Sequence, residues 1–563
     1  MTYDLLIKNG TIVDGTGANQ FRANVGIANG SIVEIDTAAK NKADATRTID
    51  ASELVVAPGF IDPHTHYDAQ ICWDPMISCS SWHGVTSVVM GNCGVGLAPC
   101  LPEKREILAW DLVNVEGMSF DVLSKGVTWQ WESFPDFMAA PFQKGVGINL
   151  GFLVPLSPIR SYVLGEESQE RAATPEETAR IAALLRNSMQ EGALGFSTTL
   201  GTQHVGFKGR PLSCRLASKD ELRTYAHVLR ELGMGAIEVN LGGAGSSILP
   251  PGGLELVDFL LEESQRPVTW LSVQTRSDQP TAHTQLLAKT DGLIKRGGIP
   301  QATCQPTSLQ FNLRNPFILG SYDVCHPLIN ASVEEQARIY ANQDFRSAFR
   351  EAYTATPKAF SGQWQHIEVC DVSKTEHQGY VGKTLADISQ AEGKDPLDTF
   401  FDLSLADDLK TEYTLAILNF DLDLVEEVIT DDRVMIGLSD GGAHVDMMCN
   451  AGYPTCLLGT WVRERQAMSL ERAVQRLTSE PAQFFGVHDR GVIAPGKAAD
   501  LVVFDPKTVG SGEKLLLNDL PGGERRFVQQ AKGIQHVIVN GEILLNQGKQ
   551  SGALAGQMLR AGG

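Results

Sequence analysis

Two histidines one residue apart, His64 and His66, close the apolar stretch Val55-Val56-Ala57-Pro58-Gly59-Phe60-Ile61-Asp62-Pro63-His64-Thr65-His66. Side chains at i and i+2 of an extended segment point the same way, so two neutral imidazoles can share one cation. Far along the chain, Asp440 follows the apolar run Val434-Met435-Ile436-Gly437-Leu438-Ser439. A carboxylate there can bind a cation and take a proton from water, or cap a helix before Gly441-Gly442. Cys93, in Met90-Gly91-Asn92-Cys93-Gly94, adds a thiolate ligand candidate between glycines that let backbone pass close by. His204 and His444 lie in loops near these segments and are candidates for contacting substrate or for structural roles. Arg160 and Arg210 could hold a carboxylate, although an ordinary ion pair is the better explanation of each.

These residues need strands to bring them together. The middle of the chain alternates apolar strands with helical segments. Strand candidates are Val55 to His64, Thr86 to Met90, Gly147 to Val154, Ala193 to Ser197, Gly235 to Val239, Val268 to Val273, Leu415 to Asn419 and Val434 to Ser439. Thr174-Pro175-Glu176-Glu177 and Ser218-Lys219-Asp220-Glu221 read as helix starts. Eight such strands suit a (β/α)8 TIM-like barrel, with an open doubly wound sheet as the alternative, and barrel chemistry sits at the strand C-termini. First and last strands are neighbours in a closed barrel, which would bring Asp440 to the histidine pair.

Both ends of the chain are rich in short strands with Asn-Gly and Asp-Gly turns. Residues 1–57 and 485–563 are therefore expected to form one small β-sandwich domain, with the barrel over 58–484. The long gap after Val273 is read as an insertion over 275–410 near the barrel mouth.

The 563-residue chain is too long for one ordinary core and carries a formal net charge of −20, which argues against a nucleic-acid partner. Ten cysteines without a CxxC pair suggest reduced thiols in a cytoplasmic protein. No segment reaches the ~18 continuous apolar residues of a membrane span. The expected partner is a small-molecule substrate, with no membrane or nucleic acid; a homo-oligomer is left open.

The chain resembles the amidohydrolase superfamily, and within it the N-acyl-D-amino-acid deacylases. Pro58 to His66, Gly91 to Gly94, Trp131-Glu132-Ser133-Phe134-Pro135, Gly192 to Thr198, Ser439-Asp440-Gly441 and Gly491 to Leu501 carry the likeness. The resemblance implies a barrel plus β-sandwich and a zinc site. It assigns His64, His66 and Asp440 to the metal, Cys93 to a ligand position that can bridge to a second one, and Asp440 to general base and acid. Where relatives place histidines after strands five and six, this chain has Asn240 and, in Leu271-Ser272-Val273-Gln274-Thr275, no histidine. Neutral amides are poor zinc ligands. One ion is therefore expected, on His64, His66, Asp440 and Cys93, with Glu238 or Gln274 as accessory candidates and Asn240 and Gln274 also able to meet substrate. The expected reaction is hydrolysis of an amide C–N bond. A lactone, cyclic amide or carbamate is the alternative substrate, and a non-catalytic ligand binder the alternative function.

Overall fold

The computed structural model describes residues 2–38, 44–242, 247–356 and 360–562. Eight parallel strands form the central sheet: Phe60–Asp62, Val85–Met90, Asn149–Pro155, Gly195–Thr199, Ala236–Asn240, Val268–Leu271, Gly298–Ala302 and Met435–Ile436. All but Ile299 of these strand residues are buried, as expected of parallel strands covered on both faces. The first and last strands meet through a parallel bridge between Thr65 and Gly441, where the His66 N–H donates to the Gly441 carbonyl at 2.7 Å. That contact closes the TIM-like barrel. The two helix starts read from sequence form capping boxes on Thr174 and Ser218, which satisfy backbone N–H groups at the heads of Pro175–Glu191 and Lys219–Leu232.

The seventh barrel strand differs from expectation. Leu415 to Asn419 does not enter the barrel; Glu412–Leu418 pairs antiparallel with Thr307–Phe311 and Ile367–Asp371 in a separate three-stranded sheet. Gly298–Ala302 takes the barrel position instead. Its sequence, Gly-Ile-Pro-Gln-Ala, reads as a turn because of its glycine and proline, yet tertiary packing holds it as a strand. The insertion expected over 275–410 is corrected accordingly. Helix Ala282–Ile294 and strand Gly298–Ala302 belong with the barrel, and the departure from it begins after Ala302 and extends past residue 410.

The inserted segment has its own aromatic core, including Phe311, Phe349, Phe360, Phe400, Phe401 and Tyr413. Met447 and Met448, from the loop that follows Asp440, are buried in that same core. The Gln310 N–H donates to the Met447 carbonyl at 2.8 Å, stitching the loop to the inserted sheet.

Strands from both chain ends share one nine-stranded sheet, in which Leu501–Phe504 pairs antiparallel with Val55–Pro58. Asp500 ties that sheet to the N-terminal end of the barrel. It accepts from the Asn149 amide at 2.8 Å and from the Asn540 N–H at 2.7 Å, and pairs with the Arg490 guanidinium. Leaving Arg490 buried without this carboxylate would be costly.

A further contact, between the turn before the second barrel strand and the strand Arg526–Lys532 of a separate two-stranded sheet, is pH-sensitive. His83, fully buried, donates from Nε2 to the Gln529 carbonyl at 2.9 Å, and Nδ1 lies 2.7 Å from the Thr455 hydroxyl. Burial pulls its pKa down to about 4. An unfolded histidine titrates near 6.5, so below that pH the unfolded chain takes a proton the folded one refuses, and stability falls until about pH 4. The expected loss between pH 7 and pH 5 is roughly 2 kcal/mol from this residue. Urea midpoints for His83→Gln should therefore fall less over that interval than wild-type midpoints; equal slopes would rule out His83 as the source.

Candidate metal centre

Each candidate side chain is presented by a strand C-terminus. His64 and His66 follow the first strand, their rings 5.2 Å apart at 66° and almost fully buried. Cys93 sits in the tight turn Asn92–Gly94 after the second strand, at φ +56°. Asp440 follows the eighth strand, also at φ +56°, a left-handed conformation that aspartate tolerates better than most side chains. Two glycines permit the approach. A Cβ on Gly91 (φ +79°) would lie 2.1 Å from the Leu153 carbonyl oxygen, and one on Gly442 (φ +93°) 2.6 Å from that of His66. Only glycine fits either place without backbone movement.

Donor atoms converge. The His66 Nε2 lies 3.2 Å and the His64 Nε2 3.8 Å from Asp440 Oδ1, and Cys93 Sγ lies 3.7 Å from His64 Nε2. The ligand atoms of His64, His66 and Cys93 all fall within 4.8 Å of one another. The His64 contacts to Asp440 and Cys93 match the roughly 3.3–3.8 Å between tetrahedral ligands at zinc-like bond lengths, and the chemistry of the set suits a divalent cation, with Asp440 standing outside the compact His64–His66–Cys93 group. Asp440 retains 24% of its side-chain exposure and faces a cavity, whereas the two imidazoles do not.

The electrostatics are those of a crowded acidic pocket. Burial opposes charge on His66, but Glu116, whose Oε1 lies 3.3 Å from His66 Nδ1, and Asp440 outweigh it and raise the imidazole to about 10. Burial would likewise raise Asp440, yet the hydrogen bond and charge of His66, with His444 and His64, hold its carboxyl below the ordinary range. Burial depresses His64 to about 3. Burial also raises Glu238 to about 8, although its Oε2 accepts from the Cys93 N–H at 2.7 Å.

The remaining sequence candidates divide. Asn240 lies beside the centre, its amide donating to Cys93 Sγ at 3.5 Å and lying 3.4 Å from His204 Nε2. His204 Nδ1 is 3.2 Å from the Thr199 hydroxyl. His444 Nε2 lies 3.9 Å from Asp440 Oδ2, and its ring packs against Phe317 at 4.6 Å. Gln274 is tied up by Ser272 at 3.1 Å and Asn419 at 3.2 Å. His204, Asn240, Gln274, Asp440 and His444 all line one cavity of about 190 Å³. Neither arginine joins them: Arg160 is buried against Glu221, and Arg210 pairs with Glu170 at the surface. Glu116 was not legible in the sequence. It ends helix Arg105–Glu116, and a lone glutamate in a helical segment carries no functional signal.

A sequence model of the amidohydrolase family matches residues 47–545, and the chain belongs to that family. The D-aminoacylase of Alcaligenes xylosoxydans xylosoxydans is 27% identical over 564 residues, spanning 99% of this chain and 97% of its own. The N-acyl-D-glutamate deacylase of the same organism is 27% identical, spanning 96% and 93%. Among solved structures, the N-acyl-D-glutamate deacylase of Bordetella bronchiseptica, complexed with zinc and a phosphonate mimic of the tetrahedral intermediate, superposes with a TM-score of 0.68 at 25% identity over the full length of both chains. Among the described residues no helix is long and apolar enough to cross a membrane.

Proposed function

We propose that this chain hydrolyses an amide C–N bond of a small molecule, as an N-acyl-amino-acid deacylase does, around a single zinc ion held by His64, His66, Cys93 and Asp440. The observation that carries the reading is the compact group of two imidazoles and a thiol, with donor atoms within 4.8 Å of one another, together with the Asp440 carboxylate 3.2 and 3.8 Å from the two imidazoles at the mouth of the barrel. When bound there, a divalent cation would polarise the scissile carbonyl and acidify water. Asp440, the member exposed to the cavity, accepts a proton from the attacking water and delivers it to the departing nitrogen. Glu116 sets a carboxyl group 3.3 Å from the His66 ring nitrogen that faces away from Asp440, where its charge can steady that ring. His444 stands where it can steady the carboxylate or contact substrate. The amides of Asn240 and Gln274 have other hydrogen-bond partners, which favours one ion over two.

The test is a hydrolysis panel with zinc-loaded protein: N-acyl-D- and N-acyl-L-amino acids and their amides, cyclic amides, carbamates and lactones. Turnover of an open-chain or cyclic amide that requires zinc supports the reading. Turnover confined to lactones would move the bond from C–N to C–O, and protein that binds no metal and turns over nothing would be a ligand binder.

A further inference from the structure

The cavity over Asp440 has a composition that says something about charge in the substrate. Its apolar wall is formed by Leu271, Leu309, Phe317, Ile417, Leu418 and Met448. Most of these come from the inserted segment: Leu309 and Leu418 sit on its paired strands and Phe317 on a short turn between them. Among the described residues that line this cavity there is no lysine or arginine.

Among the described residues, the arginines that line the adjoining cavities are engaged. Arg276, in an adjoining cavity that shares Ile417, forms a double hydrogen bond to Asp278 at 2.8 and 2.7 Å. In a second adjoining cavity, Arg525 pairs with Glu412 at 2.9 Å and Arg314 donates to the Asp408 carbonyl. Lys514 reaches Asn450, a wall residue, at 3.3 Å but does not line the cavity. The carboxyl groups nearest the cation position are those of Asp440, Glu116 and Glu238, and no lysine or arginine among the described residues lines the cavity beside them. Held away from the cation, an ionised carboxylate on the ligand would meet only neutral donors such as Thr303, Thr307 and Asn450 in a mostly apolar wall, and burying a charge without a countercharge is unfavourable.

Resting on the hydrolase reading above, we infer that this site takes an uncharged substrate with an apolar body, an amide lacking a free carboxylate beside the scissile bond. The inserted segment selects it by exclusion of charge as much as by contact. Acidic substrates of the kind named for two of its relatives, N-acyl-D-aspartate and N-acyl-D-glutamate deacylases, are then poor ligands for this chain.

The test reads binding rather than turnover. Zinc-loaded protein is titrated calorimetrically with two hydrolysis-inert ligands, N-phenylsulfonyl-leucine and its primary amide, in both enantiomers. The amide should bind at least roughly tenfold more tightly than the carboxylate. Ile417→Lys should raise carboxylate affinity by about the same factor while the amide changes little. Equal or tighter binding of the carboxylate to the wild-type protein would overturn the inference. So would a loss of carboxylate affinity in Lys514→Ala, because that lysine would then be the missing partner. If the binding order holds while the hydrolysis panel finds no turnover, the hydrolase reading fails and the charge preference stands.

Discussion

Asp440→Asn should lower kcat on any amide this enzyme turns over by about three orders of magnitude, the middle of the range seen when a positioned base is removed. The change keeps the size and shape of the side chain. Asparagine accepts the left-handed backbone that the residue adopts at φ +56°, so the turn into Gly441 should persist. What disappears is the ability to receive a proton at the oxygen 3.2 Å from His66. Zinc content, measured alongside, separates loss of the base from loss of a ligand. A variant that keeps its zinc and loses turnover supports the proton-transfer role. A variant with turnover within roughly tenfold of wild type would remove Asp440 from the chemistry.

The second large effect is expected from His64→Asn. The amide preserves bulk in a fully buried position but binds zinc poorly, so equilibrium zinc affinity should fall by more than roughly 100-fold, and activity with it. Glu116→Gln is the graded companion. It leaves all four proposed ligands in place and weakens only the partner of His66 Nδ1, and a roughly 10–100-fold loss of zinc affinity is expected. Competition with a chromophoric chelator measures both. Unchanged zinc affinity in His64→Asn would mean that the ion, if bound, sits elsewhere.

What could be read from the sequence was the part of the site written in local pattern. His64 and His66 follow an apolar strand and a Pro-Gly turn, and Asp440 ends the last apolar run before two glycines. Barrel closure then brings them together, because parallel strands all deliver their C-termini to one face. The seventh strand was illegible for a complementary reason. Glycine and proline in Gly298–Ala302 argue against a strand, and the more regular alternation at Leu415–Leu418 belongs to a sheet that the insertion builds for itself. Glu116 escaped because its role depends on where a helix end lands in space, near His66 and the His444 backbone, and no spacing in the chain records that. His204 and Asn240 meet across two different strand ends, another contact that periodicity cannot express.

Met447 and Met448 lie only a few residues beyond Asp440 yet are embedded among the aromatics of the inserted segment. A roof that merely rested over the barrel could be shortened or swapped without disturbing the acid beneath it. Here such surgery would uproot two anchors and set the proton carrier adrift. On the proposed roles of Asp440 and the inserted segment, substrate range and reactivity are yoked, and remodelling the canopy would mean re-seating the carboxylate in the same stroke.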